Sequence, residues 1–326
     1  MNRPIRCGFA AILDPARSMH TQTVLRALDI YKALFAHDTI EFICCEDFGS
    51  VEGGAHAADL LVSQGVDIVV GHYASNSAMG AAPFYAAHAV PVLLPTATDT
   101  QLTLDRNNIF RLCPNNTDIV NALLSFFSPD EPFNFDVFTD ESSYAQNLAS
   151  TLKNTLAERS ARSVNKTAVT SNIVFIGTGT CSEMFLEACE RTAIPGPFML
   201  TDDAACPHFV IPGSMRAGQV RGVGFASTAQ VNPTAPCAQE YVRRYGEMPG
   251  VFFLETIAAL EIVSHLTAKS EDFVADLNAG SFLTSLGELR FVRGERQHVD
   301  LCLWRNDEAN QFRPVELIKP NKEPMT

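Results

Sequence analysis

The sequence lacks the features that mark several large classes of protein. Its strand-like apolar runs, such as 66–71 and 90–94, are far shorter than a membrane-spanning helix. Basic residues are scarce, because 24 Lys and Arg stand against 37 Asp and Glu, which leaves a formal net charge of −13. An acidic surface repels phosphate backbones and anionic lipid. We therefore expect neither nucleic acid as a partner nor direct insertion into a membrane.

Motifs for metal and redox chemistry are also missing. The nine cysteines include no C-x-x-C pair and the eight histidines have no metal-ligand spacing, so we expect no metal and no other cofactor. Scattered thiols in apolar surroundings suit a reducing compartment. The first residues contain no apolar signal segment. The sequence as written therefore predicts a cytoplasmic location, or a periplasmic one if a leader has been removed.

The pattern of the chain predicts two α/β domains. Its 326 residues, 46% of them hydrophobic and 19% charged, suit a folded protein with more than one core. Strand and helix patterns alternate first with strands at 5–13, 40–45, 66–71 and 91–94 and helices at 23–36, 55–64 and 77–88. They alternate again with strands at 135–138, 172–176, 198–201 and 219–225 and helices at 144–158 and 181–191. Such alternation predicts parallel sheets with crossover helices, here two Rossmann-like, doubly wound lobes.

The end of the chain departs from this alternation. A long helix is predicted at 253–268, and a β-ribbon follows over 287–291, 299–304 and 312–317, with a turn at 306–310. Pro and Asn in the stretch 110–116 suit a segment that crosses between the lobes. We expect the late segments to return to each lobe in turn.

Five landmarks in order carry a resemblance to a known family. Residues 65–77 read GVDIVVGHYASNS and residues 90–103 read VPVLLPTATDTQLT. The other three are NIFR at 108–111 with Pro114 close behind, SSYA at 142–145, and GELRF at 287–291. Together they resemble the type I periplasmic binding proteins of the leucine/isoleucine/valine branch. In that branch the third strand ends in a Gly before a Ser-rich turn, and the fourth ends in Pro-x-Ala-Thr.

The resemblance implies a fold, a domain division and a function. It implies two lobes, 1–113 with 232–293 and 114–231 with 294–326, joined by a multi-strand hinge. The implied function is to clamp a small polar metabolite, an amino acid or an amide, between the lobes. A membrane permease or a regulatory protein is the implied partner.

A departure from the pattern keeps other functions open. The leucine-type binders close the turn after strand three with a disulfide, and the matching position here is Ala74. The sequence is also similar to a cytoplasmic offshoot of the fold that senses amides, so a ligand-sensing regulator is an alternative. An enzyme that uses the cleft for catalysis is a third, although no Ser-His-Asp order, metal set or phosphate loop recommends it.

Candidate ligand contacts in the first lobe follow its strands. Ser75 and Ser77 stand between strand three and the next helix, where free N–H groups favour a carboxylate, although Ser77 could instead cap the helix. Thr96, Ala97 and Thr98 end strand four and are candidates. The resemblance implies that the Thr96 backbone and the Thr98 hydroxyl contact the ligand's carboxylate and amino group, and a turn residue that bonds its own backbone is the alternative. Further candidates are Asp14 and Ser18 after strand one and His72 after strand three. For His72, a packed or solvated role without ligand contact is the alternative.

The second lobe supplies the remaining candidates. The resemblance implies that the Tyr144 ring covers the ligand and that an acid at Asp202 or Asp203 pairs with its ammonium group. The other Asp would cap a turn, and the residues themselves do not say which has which role. Thr178 follows a strand and is expected to face the same cleft. If His72, Tyr144, Asp202 and Asp203 converged, they could act as acid or base, which is the basis of the enzyme alternative.

Overall fold

The computed structural model describes residues 3–35, 39–127, 135–160, 172–266, 270 and 272–318. These divide into two compact units. Unit 1 comprises Met1–Cys113 and Ser227–Val299, and unit 2 comprises Pro114–Ala226 and Asp300–Thr326. The chain thus passes between units at 113/114, 226/227 and 299/300, where the sequence predicted 113/114, 231/232 and 293/294.

The strands and helices are numbered along the chain. The strands are β1 (Ile5–Ala11), β2 (Ile40–Glu46), β3 (Ile68–Gly71), β4 (Val92–Leu94), β5 (Ile109–Arg111), β6 (Phe135–Thr139), β7 (Asn172–Ile176), β8 (Phe198–Leu200), β9 (Val220–Phe225), β10 (Phe282–Thr284), β11 (Gly287–Leu289), β12 (Phe291–Val292), β13 (Glu295–Arg296), β14 (Leu301–Asn306) and β15 (Phe312–Ile318). The helices are α1 (Thr21–Phe35), α2 (Val51–Ser63), α3 (Ser75–Ala87), α4 (Asn116–Leu124), α5 (Ser143–Ser160), α6 (Gly179–Arg191), α7 (Thr228–Val231), α8 (Pro236–Tyr245), α9 (Phe253–His265) and α10 (Phe273–Ala279).

Unit 1 is built on a sheet with the strand order β2-β1-β3-β4-β5-β13-β12. The first five strands are parallel, and the short ribbon of β12 and β13 joins the sheet where Glu295 pairs with Arg111. The order reverses between β1 and β3. In such doubly wound sheets, ligands bind beyond the carboxyl ends of the strands at this reversal. The loops after β1, β3 and β4 are therefore the part of unit 1 with the geometry of a binding edge.

Helices α2 and α3 pack backbone to backbone. A Cβ added at Gly54 would lie 2.0 Å from the carbonyl oxygen of Ser77, and one added at Gly80 would lie 2.0 Å from that of Val51. Only glycine permits this approach. Because Ser77 is in the first turn of α3, the close contact fixes the end of α3 that faces the binding edge.

Helix α9 is the central helix of unit 1. Its residues Phe253 to Leu260 are all buried, as expected for a helix that is apolar all round. It contacts α1 on one side and β3 and β10 on others. Among the residues that the structure describes, no helix has both the length and the apolar character needed to cross a bilayer.

Unit 2 has its own sheet with the order β15-β14-β9-β8-β7-β6. Strands β6 to β9 are parallel, and β14 and β15 extend the sheet in antiparallel pairing. The only tryptophan, Trp304, is fully buried in β14 and donates its indole N–H to the carbonyl of Phe225 at 3.1 Å. This bond joins the end of β9, where the chain leaves unit 2, to the strand on which it returns.

The predicted α/β class with two parallel-dominated sheets is confirmed, and the differences are local. Strand β5 and helix α4 were missed, because the Pro and Asn of 110–116 indicated a crossing segment. Asn115 in fact caps α4, since its side chain accepts the N–H of Asp118 at 3.1 Å and Asp118 accepts the N–H of Asn115 in return. Helix α2 begins four residues earlier than predicted, because Gly53 and Gly54 weaken the helix pattern there.

We predict that Gly80→Ala destabilises the protein by roughly 1–3 kcal/mol, because the new methyl group meets a backbone oxygen that cannot move aside. Gly213→Ala is the matched control, since a Cβ there meets nothing within 4 Å, and its free energy of unfolding should change by less than about 0.5 kcal/mol. Chemical denaturation followed by circular dichroism measures both. Equal stability of the two variants would contradict the close contact of α2 and α3.

Candidate functional site

The loop between β3 and α3 presents a helix N-terminus without a side-chain cap. The N-cap residue is Ala74, and α3 begins at Ser75, two residues earlier than the sequence predicted. Ser77 is fully buried and donates its hydroxyl to the carbonyl of Ala74 at 3.0 Å. The expectation that Ser77 might cap the helix is therefore wrong, because a cap has to accept from the amides. The positive end of the helix dipole of α3 therefore has no capping side chain from its N-cap residue.

The loop after β4 is held by hydrogen bonds to the segment that follows β3. Thr96 donates its hydroxyl to the carbonyl of Tyr73 at 2.9 Å, and the N–H of Asp99 donates to the Ser75 hydroxyl oxygen at 3.2 Å. Ala97 is 1% exposed and Thr98 is 3% exposed. Within the described part of the chain, the Thr98 hydroxyl forms no hydrogen bond. A hydroxyl without a protein partner is a group that a ligand can satisfy.

His72 belongs to a buried network. It is fully buried, with Nδ1 at 2.7 Å from the Asp47 carboxylate and Nε2 at 3.0 Å from the Tyr85 hydroxyl. Burial of Asp47 favours its neutral form, but the hydrogen bond and charge of His72 outweigh this, so the pKa of Asp47 is lowered. Because both ring nitrogens have protein partners, the structure favours the packed role that the sequence left open for His72.

Asp14 and Ser18, in the loop after β1, act within that loop. Asp14 is exposed and accepts the N–H of Ala16 at 3.0 Å, while the Ser18 hydroxyl accepts the N–H of His20 at 3.2 Å. Both side chains therefore stabilise turns. Their contact with a ligand stays a prediction.

Sequence reasoning missed an acid in unit 1. Glu255 is the third residue of α9 and is 8% exposed. It lies beside Thr256, whose hydroxyl oxygen is 3.0 Å from the Tyr73 hydroxyl. Burial raises the pKa of Glu255 to about 7, a change that its own amide, Arg296 and the amide of Phe252 partly oppose. An acid in the first turn of a helix was the available signal, but it could not be told from an ordinary helix start.

In unit 2 the candidates gather where β6, β7 and β8 end. Tyr144, the second residue of α5, donates its hydroxyl to the Asp202 carboxylate at 2.5 Å and lies 3.1 Å from the Thr201 hydroxyl. Burial and the charges of Asp202 and Asp203 raise the pKa of Tyr144 well above its ordinary value. The phenol therefore stays protonated and acts as a donor to Asp202, which is 4% exposed.

The two neighbouring acids have different roles. Asp203 accepts the N–H of Gly179, the first residue of α6, at 2.6 Å. Thr178 is the N-cap of α6, and its hydroxyl accepts the N–H of Cys181 at 3.4 Å. Its own N–H donates to Asp140 at 2.7 Å. Asp203 and Thr178 thus stabilise the start of α6, whereas Asp202 accepts a hydrogen bond from the Tyr144 hydroxyl.

The structure thus brings the predicted residues together in two groups. Ser75, Thr96, Ala97 and Thr98 meet at the edge of unit 1, and Tyr144, Thr178, Asp202 and Asp203 meet at the edge of unit 2. Ser77 and His72 lie beneath the first group rather than in it. Within the described residues, no cluster of three or more His, Cys, Asp or Glu side chains has the arrangement of a metal site. All nine cysteines are described, and none forms a disulfide.

We predict that Glu255 makes the protein less stable as the pH rises. Because the folded pKa of about 7 exceeds the ordinary value of 4.5, the unfolded state releases this proton first, and stability is lost between those two values. Glu255→Gln should abolish this loss and be more stable than the wild type at pH 8 by roughly 1–3 kcal/mol.

Glu52→Gln is the matched control, since Glu52 also stands in the first turn of a helix but is exposed. Its unfolding should follow the wild type at every pH. A Glu255→Gln variant that is less stable than the wild type at pH 8 would show that the carboxylate is ionised and paired in the folded protein.

Comparison with known proteins extends these observations. The sequence profile of the family described as "Periplasmic binding protein" matches residues 18–172, which include the edge of unit 1 and the start of α5. No curated protein matches the sequence.

Solved structures match nearly the whole chain. A leucine binding protein from Thermotoga maritima has a TM-score of 0.82 at 15% identity, over 97% of this chain and 99% of its own. A branched-chain amino acid transporter substrate binding protein from Streptococcus pneumoniae, solved with isoleucine, has a TM-score of 0.77 at 16% identity, over 97% and 100%. A solute binding protein of an ABC transporter from Rhodopseudomonas palustris, solved with 3,4-dihydroxybenzoic acid, has a TM-score of 0.75 at 12% identity, over 99% of each chain.

At sequence identities this low, the similarity to solved structures is evidence for the fold alone. The chain has the type I periplasmic-binding-protein fold over nearly its whole length, and its resemblance to that family is confirmed.

Proposed function

We propose that this protein is a solute-binding protein that holds a small carboxylate-bearing metabolite, first of all an α-amino acid. The observation that carries the proposal is the edge of unit 1. There the uncapped N-terminus of α3 is tied by Ser75 to Asp99, the neighbour of Thr98. Helix N-terminal amides and a hydroxyl without a protein partner suit a carboxylate.

Unit 2 supports the second half of this proposal. Asp202 is an almost fully buried carboxylate whose Tyr144 partner is a neutral donor. A buried anion is stabilised further by a cationic partner. As the resemblance implies, we propose that Asp202 receives the ligand's ammonium group.

The names of the structural relatives support the partner and a second ligand class. Several are substrate-binding proteins of ABC transporters, so we propose a membrane permease as the partner of this protein. One of them was solved with 3,4-dihydroxybenzoic acid, which makes aromatic carboxylic acids the alternative ligand class. Such acids carry no ammonium group, so the importance of Asp202 distinguishes the two classes.

The proposal is tested with protein that has been unfolded and refolded to remove any ligand bound during purification. Thermal unfolding and calorimetry are measured with the common amino acids, short amides and hydroxybenzoates at millimolar concentration. A ligand at 100 times its Kd should add about 2.7 kcal/mol of stability. No stabilisation by any of these compounds would contradict the proposed function.

We predict that Thr98→Val weakens ligand binding by roughly 1–3 kcal/mol, because a buried polar group of the ligand loses its partner. The stability of the ligand-free protein should stay within about 0.5 kcal/mol, since the hydroxyl has no partner in the described protein. Thr96→Val is the matched control, because it removes the hydrogen bond to Tyr73 and should lower stability. Unchanged affinity in Thr98→Val would remove this residue from the site.

We predict that Asp202→Asn weakens the binding of L-leucine by roughly 2–4 kcal/mol, because a buried ion pair with the ammonium group is lost. The binding of 3,4-dihydroxybenzoate should not weaken. Asp203→Asn, the matched control, should lower stability through the start of α6 and leave affinity unchanged. If L-leucine binds the wild type and Asp202→Asn equally well, Asp202 does not contact the ammonium group.

A further inference from the structure

Arg111, the last residue of β5, is fully buried beneath the loop that contains Thr98. Its Nη1 donates to the carbonyl of Ala97 at 2.5 Å, and its Nη2 donates to the carbonyl of Asp99 at 2.6 Å. The guanidinium therefore forms hydrogen bonds to the backbone on both sides of Thr98. The two bonds use separate nitrogens of one planar group, so together they fix the backbone between the two carbonyls.

A second set of contacts holds Arg111 itself. Its Nε lies 3.2 Å from both carboxylate oxygens of Glu295, which is 28% exposed, and its Nη2 lies 3.4 Å from the Thr103 hydroxyl. Thr103 in turn donates its hydroxyl to Glu295 at 2.5 Å. A buried cation is costly unless it is paired and hydrogen-bonded, and here the acid and the two carbonyls provide both. The guanidinium is thus locked in one orientation.

We propose that Arg111 is a positioning residue for ligand binding, which acts through the backbone of 97–99 to hold the Thr98 hydroxyl in place. This inference rests on the proposed function, because it assigns Thr98 to the site. The planar fork of arginine is what the arrangement needs. A lysine would keep the positive charge beside Glu295, but its single ammonium group cannot bond both carbonyls in the same way.

The first experiment needs no ligand. Hydrogen–deuterium exchange of the ligand-free protein is compared between the wild type and Arg111→Lys. We expect faster exchange at the amides of 97–103 and unchanged exchange in unit 2. Arg106→Lys is the matched control, because Arg106 is partly buried and donates to carbonyls beyond Thr98, those of Gln101 and Leu102, so exchange at 97–99 should stay unchanged in it. Unchanged exchange at 97–103 in Arg111→Lys would overturn the proposal.

The second experiment measures affinity, with L-leucine and 3,4-dihydroxybenzoate as the probes. Arg111→Lys should weaken binding by roughly tenfold, and Arg106→Lys should not weaken it. If Arg111 acts through the Thr98 hydroxyl, the same substitution in a Thr98→Val background should have little further effect. A full additional loss in the double variant would show that Arg111 acts by another route and would overturn the proposal.

The outcomes separate this inference from the proposed function. If neither probe nor any other small carboxylate binds the wild type, the proposed function fails. If a probe binds the wild type and Arg111→Lys equally well, the positioning role fails and the proposed function stands. If Arg111→Lys unfolds, Glu295→Gln serves instead, since it weakens the support of Arg111 without removing the guanidinium, and it should loosen 97–103 and weaken binding in the same direction.

Discussion

Parallel strands end together at one edge of a sheet, and the loops that leave this edge have to satisfy their backbone groups without a neighbouring strand. Buried polar groups without partners are costly, so each loop is held by a side chain from beneath. In unit 1, Arg111 holds the loop after β4, and Asp47 bonds His72, the first residue of the loop after β3. In unit 2, Asp140 and Asp203 hold the loop that starts α6. The order of the whole edge depends on these few hydrogen bonds.

This arrangement explains why so few of the polar groups at the edge are available to a ligand. Ser77, His72 and Thr178 all have protein partners, and they keep the backbone in place. The Thr98 hydroxyl is different, because it forms no hydrogen bond to the described protein, and the N-cap residue of α3, Ala74, provides no side-chain cap. A site whose framework is already ordered loses less entropy when a ligand binds. Rigid loops with a few remaining partners are therefore suited to a small polar solute.

The two edges differ in electrostatic character. That of unit 1 presents helix amides and a hydroxyl, whereas that of unit 2 presents the carboxylate of Asp202 beside a phenol that stays protonated. An α-amino acid carries an anionic and a cationic group on one carbon, and so offers a partner to both kinds of edge. This is why the proposed function favours amino acids over aromatic acids, although a relative of the same fold was solved with an aromatic acid.

The sequence by itself determined the α/β alternation, the two lobes and the strand ends at which polar residues gather. Periodicity and the motifs at 65–103 depend on neighbours along the chain, so they could be interpreted without a structure. It could not distinguish Asp202 from Asp203, and neither the NIFR motif that contains Arg111 nor the acid Glu255 in the first turn of a helix indicated what those side chains bond. Those distinctions depend on which distant atom each side chain meets: Gly179 for Asp203, Tyr144 for Asp202, and the carbonyls on both sides of Thr98 for Arg111. Hydrogen bonds between segments far apart in the chain exist only once the sheets have formed, so only the tertiary structure decided which polar groups hold the protein together and which are left for a ligand.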